Sequence, residues 1–347
     1  MALNTLPGTV FIPLPWQLPA WQQLHVRLEN GTLPHALLIS GVSGTGKQHF
    51  AYAFAALALC RQPKDGYACG QCGACRQFAA AAHPDFHRVT IPEDKSGILV
   101  DQIRELSQKL ALTSQHNGWK IAAVTPADAM NVNAANSLLK TLEEPSAGTL
   151  LLLVTARPAR LPATISSRCQ AVRISTPSTD MAVAWLNQHE SRSDWRALLK
   201  IAGGGPMLAQ DLANNELMRE RLQFYAMLME LRNGQRNPIV CAAETGKDNM
   251  THVLKLMQAW VADLITLSTT GNPHEPGIIN ADALVMLQNT RMGINLRALH
   301  AFLSRINEAM VLTTTPVNGQ LLLENLFMDW SEGLRTLETI PLAARGG

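Results

Sequence analysis

Excess charge of one sign is missing from this sequence. Its 347 residues hold 29 lysines and arginines against 27 aspartates and glutamates, a net charge of +2. That excludes the global basic footprint of a dedicated DNA binder. No lysine or arginine precedes Arg27, and Pro7, Pro13, Pro15 and Pro19 break the early stretch, so no secretory signal is read there. Long apolar runs are also lacking: the most apolar, Phe50 to Cys60, is too short to span a bilayer and ends at Arg61. The expectation is a soluble, cytoplasmic chain without a membrane partner. Cysteines number six, and in that compartment they argue against disulfides and for metal ligation or buried thiols. The remaining composition, 47% hydrophobic and 16% charged, is globular, with length for two or three domains.

The chain is organised around Leu37 to Phe50, LLISGVSGTGKQHF. An apolar run leads into a glycine-rich turn and then an alanine-rich helix, which is the context a P-loop requires. Gly41, Gly44, Thr45 and Gly46 can turn backbone N–H groups toward one anion, and Lys47 can reach a terminal phosphate. Gln48 stands where a Ser or Thr hydroxyl would bind Mg²⁺, and its amide is a poor ligand for a hard cation. The loop reads as able to hold ATP or ADP without hydrolysing it. The alternative is a turn that only packs a helix on a sheet. A second part of the ATPase machinery is missing as well. Where the strand Lys120 to Thr125 should end in an Asp for the metal shell and a Glu for the attacking water, the residues are Thr125 and Pro126, with Asp128 further along in the loop.

Cys60, Cys69, Cys72 and Cys75 lie in CRQPKDGYACGQCGAC. Two overlapping CxxC units and a fourth thiol at the end of the preceding helix supply the donors for one tetrahedral Zn²⁺, in a closed and therefore structural site. An iron–sulfur cluster or unmetallated thiols are the alternatives. His83 and His87, nearby, read as surface or strand residues.

Strands are expected at Ala36 to Ser40, Asp85 to Ile91, Lys120 to Thr125, Leu150 to Thr155 and Ala171 to Ile174, with helices between them, giving an α/β domain with a parallel sheet. The N-terminal helix around Trp16 and Trp21 is expected to lean on that sheet. Pro177 opens a different regime. A small helical unit runs to about Ala209, and from Met207 to Leu342 the pattern is helical, with apolar faces such as Gln320 to Trp330 wide enough for a partner unless they close on each other.

The order of P-loop, four-cysteine knuckle, NAANSLLKTLEEP, LLLLVT and LPATISSRC resembles the subunits of the bacterial DNA polymerase III clamp loader, closely from about Leu33 to Pro177 and loosely beyond. The resemblance implies an AAA+-like α/β domain over 1–177 carrying the zinc knuckle at 60–75, a small helical lid over 178–206 and a helical collar over 207–347. It places the nucleotide between neighbouring subunits and makes Arg168 of Ser-Arg-Cys an arginine finger acting in trans; the alternative is an arginine paired with a carboxylate at a domain boundary. Thr155 falls at the family's sensor position. Within the family the chain is similar to the delta-prime subunits and not the ATP-hydrolysing gamma/tau subunits: Gln48 follows Lys47, the Asp-Glu pair is missing, and GGGPMLAQ lacks the arginine that the ATPases carry there. The implied partners are gamma/tau and delta subunits in a hetero-oligomeric ring, and through it the sliding clamp and primed DNA. The implied role is a component of the polymerase holoenzyme without ATPase activity of its own. The rivals are an active ATPase motor, and a zinc-dependent nucleic-acid reader using Arg61, Lys64 and Arg76.

Overall fold

Five apolar runs become the strands of one parallel sheet: β1 (Ala36–Ser40), β2 (Phe86–Val89), β3 (Lys120–Val124), β4 (Thr149–Thr155) and β5 (Gln170–Arg173), in the order β2-β3-β4-β1-β5. The computed structural model that shows them describes residues 12–93, 95, 97–114, 118–216, 220–245, 249–272, 275, 277–313 and 317–332. It divides into two compact units, Met1–Ser178 and Thr179–Gly347. The helical pattern expected over 333–342 lies outside the described residues.

In the first unit, β4 is buried along its whole length, as a central parallel strand covered on both faces must be. Its Leu151 and Leu153 join Leu38, Ala122 and Val124 against Ile103, Leu106 and Leu110 of α4 (Val100–Ala111) and Leu138 and Leu142 of α5 (Val132–Glu143). The alternating residues, Leu150, Leu152 and Val154, belong to the opposite face, and α2 (Lys47–Leu59) packs against β4. Ala51, Ala53 and Ala55 of α2 are fully buried, and their small side chains let the helix lie close to the sheet. The N-terminal helix α1 (Leu18–Glu29) leans chiefly on α2: Trp21 meets Phe50 and Phe54 edge-on at 5.8 and 5.7 Å. The register sets Ser40 beside Thr155 and Val124 beside Leu153. The carboxyl ends of β1, β3 and β4 therefore come together, which is where open α/β sheets bind ligands.

The second unit is helical throughout its described residues. Three helices, Thr179–Asn187, Trp195–Ile201 and Pro206–Ala213, precede six more: Arg221–Arg232, Pro238–Thr245, Met250–Thr270, Leu284–Arg291, Leu296–Leu312 and Gly319–Ser331. Gly203 and Gly204 have positive φ and turn the chain between the second and third. Trp195, Trp260 and Trp330 are fully buried; Tyr225 stacks on Trp260 at 4.3 Å, and Trp330 Nε1 donates to Leu228 O at 2.7 Å. Of the two outcomes open for the apolar face Gln320 to Trp330, a partner or its own domain, it takes the second and closes within the unit, burying Leu322, Leu323, Leu326, Phe327 and Trp330. Among the described residues no helix is long and apolar enough to cross a membrane.

Candidate functional site

Helix α2 carries a candidate site at each end. At its carboxyl end, Cys60 is the capping residue, and the chain loops back so that Cys72 caps α3 (Gly73–Ala79) at its amino end. The four sulfurs of Cys60, Cys69, Cys72 and Cys75 lie within 4.8 Å of one another, with Cys60–Cys72 at 4.0 Å and Cys69–Cys75 at 3.9 Å. Ligands about 2.3 Å from a tetrahedral zinc ion stand about 3.8 Å apart, so donor type, number and spacing fit one zinc ion. Backbone amides reinforce the set: Cys69 N donates to Cys60 Sγ, Cys72 N to Cys69 Sγ and Cys75 N to Cys72 Sγ. Burial opposes ionisation of Cys72, but hydrogen bonds from the amides of Cys75 and Arg61 and from the thiols of Cys75 and Cys69 together bring the thiol down to about 6, while burial pushes Cys75 up. The knuckle is fixed to α1 by Trp21, which donates to Gly66 O at 3.1 Å and stacks on Tyr67. His87 lies in β2 as expected. His83 is buried, not at the surface, because its Nδ1 accepts from Asp85 N and anchors the start of that strand.

At the amino end of α2 the glycine turn forms as expected. Gly41 takes φ +154°, and a Cβ there would stand 2.5 Å from Ile174 O; Gly44 and Gly46 have φ near +77° and +75°. None of these positions tolerates a side chain without strain. The cradle's polar groups are turned onto their own chain. Lys47 Nζ and Thr45 Oγ1 both donate to Val42 O, at 2.7 and 2.8 Å. From outside, Trp16 Nε1 and Gln17 Nε2 each donate to Thr45 O at 2.9 Å, and Gln17 also to Gly46 O. Gln48 points away along the helix and donates to Tyr52 Oη at 3.0 Å. Burial pulls the Lys47 ammonium below the ordinary lysine value, and the charge of Asp128 partly opposes this.

Asp128 is the residue that sequence reasoning placed at a distance. It sits in a single helical turn after β3, its carboxylate 2% exposed, accepting from Thr155 Oγ1 at 2.6 Å and from Arg157 Nε at 2.9 Å. Thr155, fully buried at the end of β4, also accepts from Arg157 N. Thr155, Asp128 and Arg157 thus form one hydrogen-bonded group beside the P-loop. No spacing in the sequence joins them; the one available signal was a carboxylate near a strand end that should border the cradle.

Arg168 follows the short helix α6 (Ala163–Ser166) and is exposed. Its guanidinium donates to Thr164 O at 3.0 Å and pairs with Glu143 at 2.7 Å, both partners half exposed. These neighbours are not P-loop residues: the fold brings Gly41, Gly44, Thr45, Gly46, Lys47, Gln48 and Thr155 together and leaves Arg168 on a separate surface.

Residues 16–178 match the family described as DNA polymerase III, delta subunit, and residues 215–332 the one described as DNA polymerase III, delta subunit, C terminal. The DNA polymerase III subunit delta' of Pseudomonas aeruginosa is 33% identical over 325 residues, spanning 91% of this chain and 97% of the relative. That of Escherichia coli is 30% identical over 336 residues, spanning 94% and 98%. The tau subunit of Bacillus subtilis is 30% identical over 154 residues, 44% of this chain and 27% of its own length.

Proposed function

The chain belongs to the family of DNA polymerase III delta-prime subunits, and on that premise we propose that it is a non-hydrolysing member of the clamp loader, working beside gamma/tau and delta subunits to place the sliding clamp on primed DNA. The observation that carries this reading is the orientation of Gln48. The residue in the metal-binding position has no hydroxyl, and its amide is engaged with Tyr52. With Thr125 and Pro126 in place of the acidic pair, neither Mg²⁺ nor an attacking water has its usual protein partner.

The α/β domain then serves as a rigid member of a heterologous ring, in which one surface of a subunit meets a different surface of the next. Arg168 stands exposed with only a half-exposed carboxylate as ionic partner, so it is available to a neighbour's nucleotide, where a guanidinium neutralises charge developing on the γ-phosphate. The cysteine cluster holds zinc as a structural ion. Residues 178–206 act as a lid and 207–347 as a collar. The P-loop keeps its glycine conformations and Lys47, and holds ATP or ADP without turning it over once Lys47 exchanges Val42 O for phosphate.

The test has two arms. The purified chain alone is expected to show no ATP turnover above that of its Lys47→Ala variant; turnover that depends on Lys47 makes the protein a motor. In the ring reassembled with gamma/tau and delta, Arg168→Ala is expected to lower hydrolysis at the adjoining site about a thousandfold, and unchanged hydrolysis there removes the finger role.

A further inference from the structure

β5 ends the sheet, and its outer edge carries backbone groups that the fold does not use. Ile174 N donates to Ser40 O at 2.8 Å. Since successive residues of a strand direct their amides to opposite sides, Val172 and Ile174 face β1, while Ala171 and Arg173 turn theirs outward. Among the described residues no backbone group meets those two amides, and Ala171 O accepts only the side-chain amide of Gln170, at 3.3 Å. A groove of about 240 Å³ runs along this edge. Its opposite wall is the face of α1 that bears Gln23, Leu24 and Arg27. Leu24 and Val172 are buried beneath it, whereas Arg27 and Arg173 are exposed. No carboxylate lines the groove.

We propose that this groove binds an extended acidic peptide segment of a partner protein, which adds to β5 as a further strand and sets its carboxylates against Arg27 and Arg173. An open strand edge facing a helix is the geometry of recognition by strand addition, in which main-chain hydrogen bonds supply affinity and flanking side chains supply selectivity. Two cations without an acid in the groove wall select negative side chains on the incoming strand. A nucleic-acid backbone would satisfy the arginines, but its phosphates have no donor for the outward carbonyls of Ala171 and Arg173. A polypeptide, rising about 3.3 Å per residue in step with β5, supplies donor and acceptor together. The four residues of β5 match a segment of about four to six residues.

The probe is a fluorescein-labelled peptide of about six alternating valines and glutamates, titrated against the full-length chain and followed by anisotropy. Saturable binding is expected, weakened about tenfold or more by Arg27→Ala with Arg173→Ala. Ala171→Pro is expected to weaken it similarly, because it deletes an outward N–H and leaves the ladder to β1 intact. If Ala171→Pro fails to fold, Arg27→Glu with Arg173→Glu decides, and is expected to shift preference to the lysine counterpart of the peptide. Absence of saturable binding, binding indifferent to the arginines, or tighter binding of a labelled oligothymidine of equal charge through the same two arginines overturns the proposal.

Discussion

The two ends of α2 offer a comparison made on one helix. Both follow from glycine-rich sequence and both were built to gather charge. At the carboxyl end, four sulfurs converge and three backbone amides point at them, so these donors serve one centre. At the amino end, the side-chain donors of Thr45 and Lys47 turn to Val42 O, and Trp16 and Gln17 tie the loop from outside. The difference teaches that a motif's backbone conformation and its side-chain complement can diverge. The P-loop keeps the left-handed glycines that shape it and lacks the hydroxyl and acids that would hold and activate a metal-bound nucleotide.

The sharpest way to break this comparison is to damage the complete end. Cys72→Ser removes one of the four sulfurs of the cluster, the one that also caps α3. Because binding of a structural metal is part of the folding free energy, the variant is expected to lose stoichiometric zinc and several kcal/mol of stability. Metal content by emission spectroscopy and the thermal midpoint check this. Unchanged zinc would show that the two ends are equally incomplete.

Much of that contrast was readable in the sequence, and the exceptions share a cause. α2 ends where the glycine turn and Cys60 require, and β4 is the continuous apolar run expected of a central strand. The cysteine spacing needed no structure to be recognised as a ligand set. Asp128, by contrast, meets Thr155 twenty-seven positions later and Arg157 twenty-nine positions later, a side-chain pairing that no periodicity records. The same holds for Gln17 on the P-loop carbonyls. His83, read as a surface or strand residue, is a separate case: it is buried just before β2, with its ring accepting the amide of Asp85 two positions on. The closure of Gln320 to Trp330 within its own unit was likewise undetermined, since an apolar helix face has the same sequence whether it meets its own domain or a partner.

The incomplete end can be sharpened through pH. Burial favours the neutral amine of Lys47, so the folded chain releases this proton below the ordinary lysine value of 10.5. Between the lowered value and that of the free side chain the unfolded state binds more protons than the folded one. Stability contributed by this site therefore rises as pH increases through that window, and is lowest where both states are protonated. Lys47→Met is expected to remove that part of the alkaline rise. Denaturant melts of both proteins across the window isolate Lys47 from the other buried lysines, and parallel curves for the two proteins would mean that the cradle bears no cost in holding its cation.

The smallest effect belongs to Arg168, and its smallness is informative. The pair with Glu143 joins two half-exposed side chains, and such pairs contribute about 0–1 kcal/mol because solvent screens them and ordering both side chains costs entropy. Arg168→Ala in the isolated chain is therefore expected to change stability by less than about 0.5 kcal/mol, measured by denaturant melts beside Glu143→Ala as the partner control. A residue with so little structural work at a surface apart from its own P-loop can meet another molecule at no cost to its own fold, whereas Lys47 must first release Val42 O. A loss of about 2 kcal/mol or more, of the size seen when a buried charge loses its partner, would make Arg168 a clamp on α5 and leave the neighbour's nucleotide without its cation.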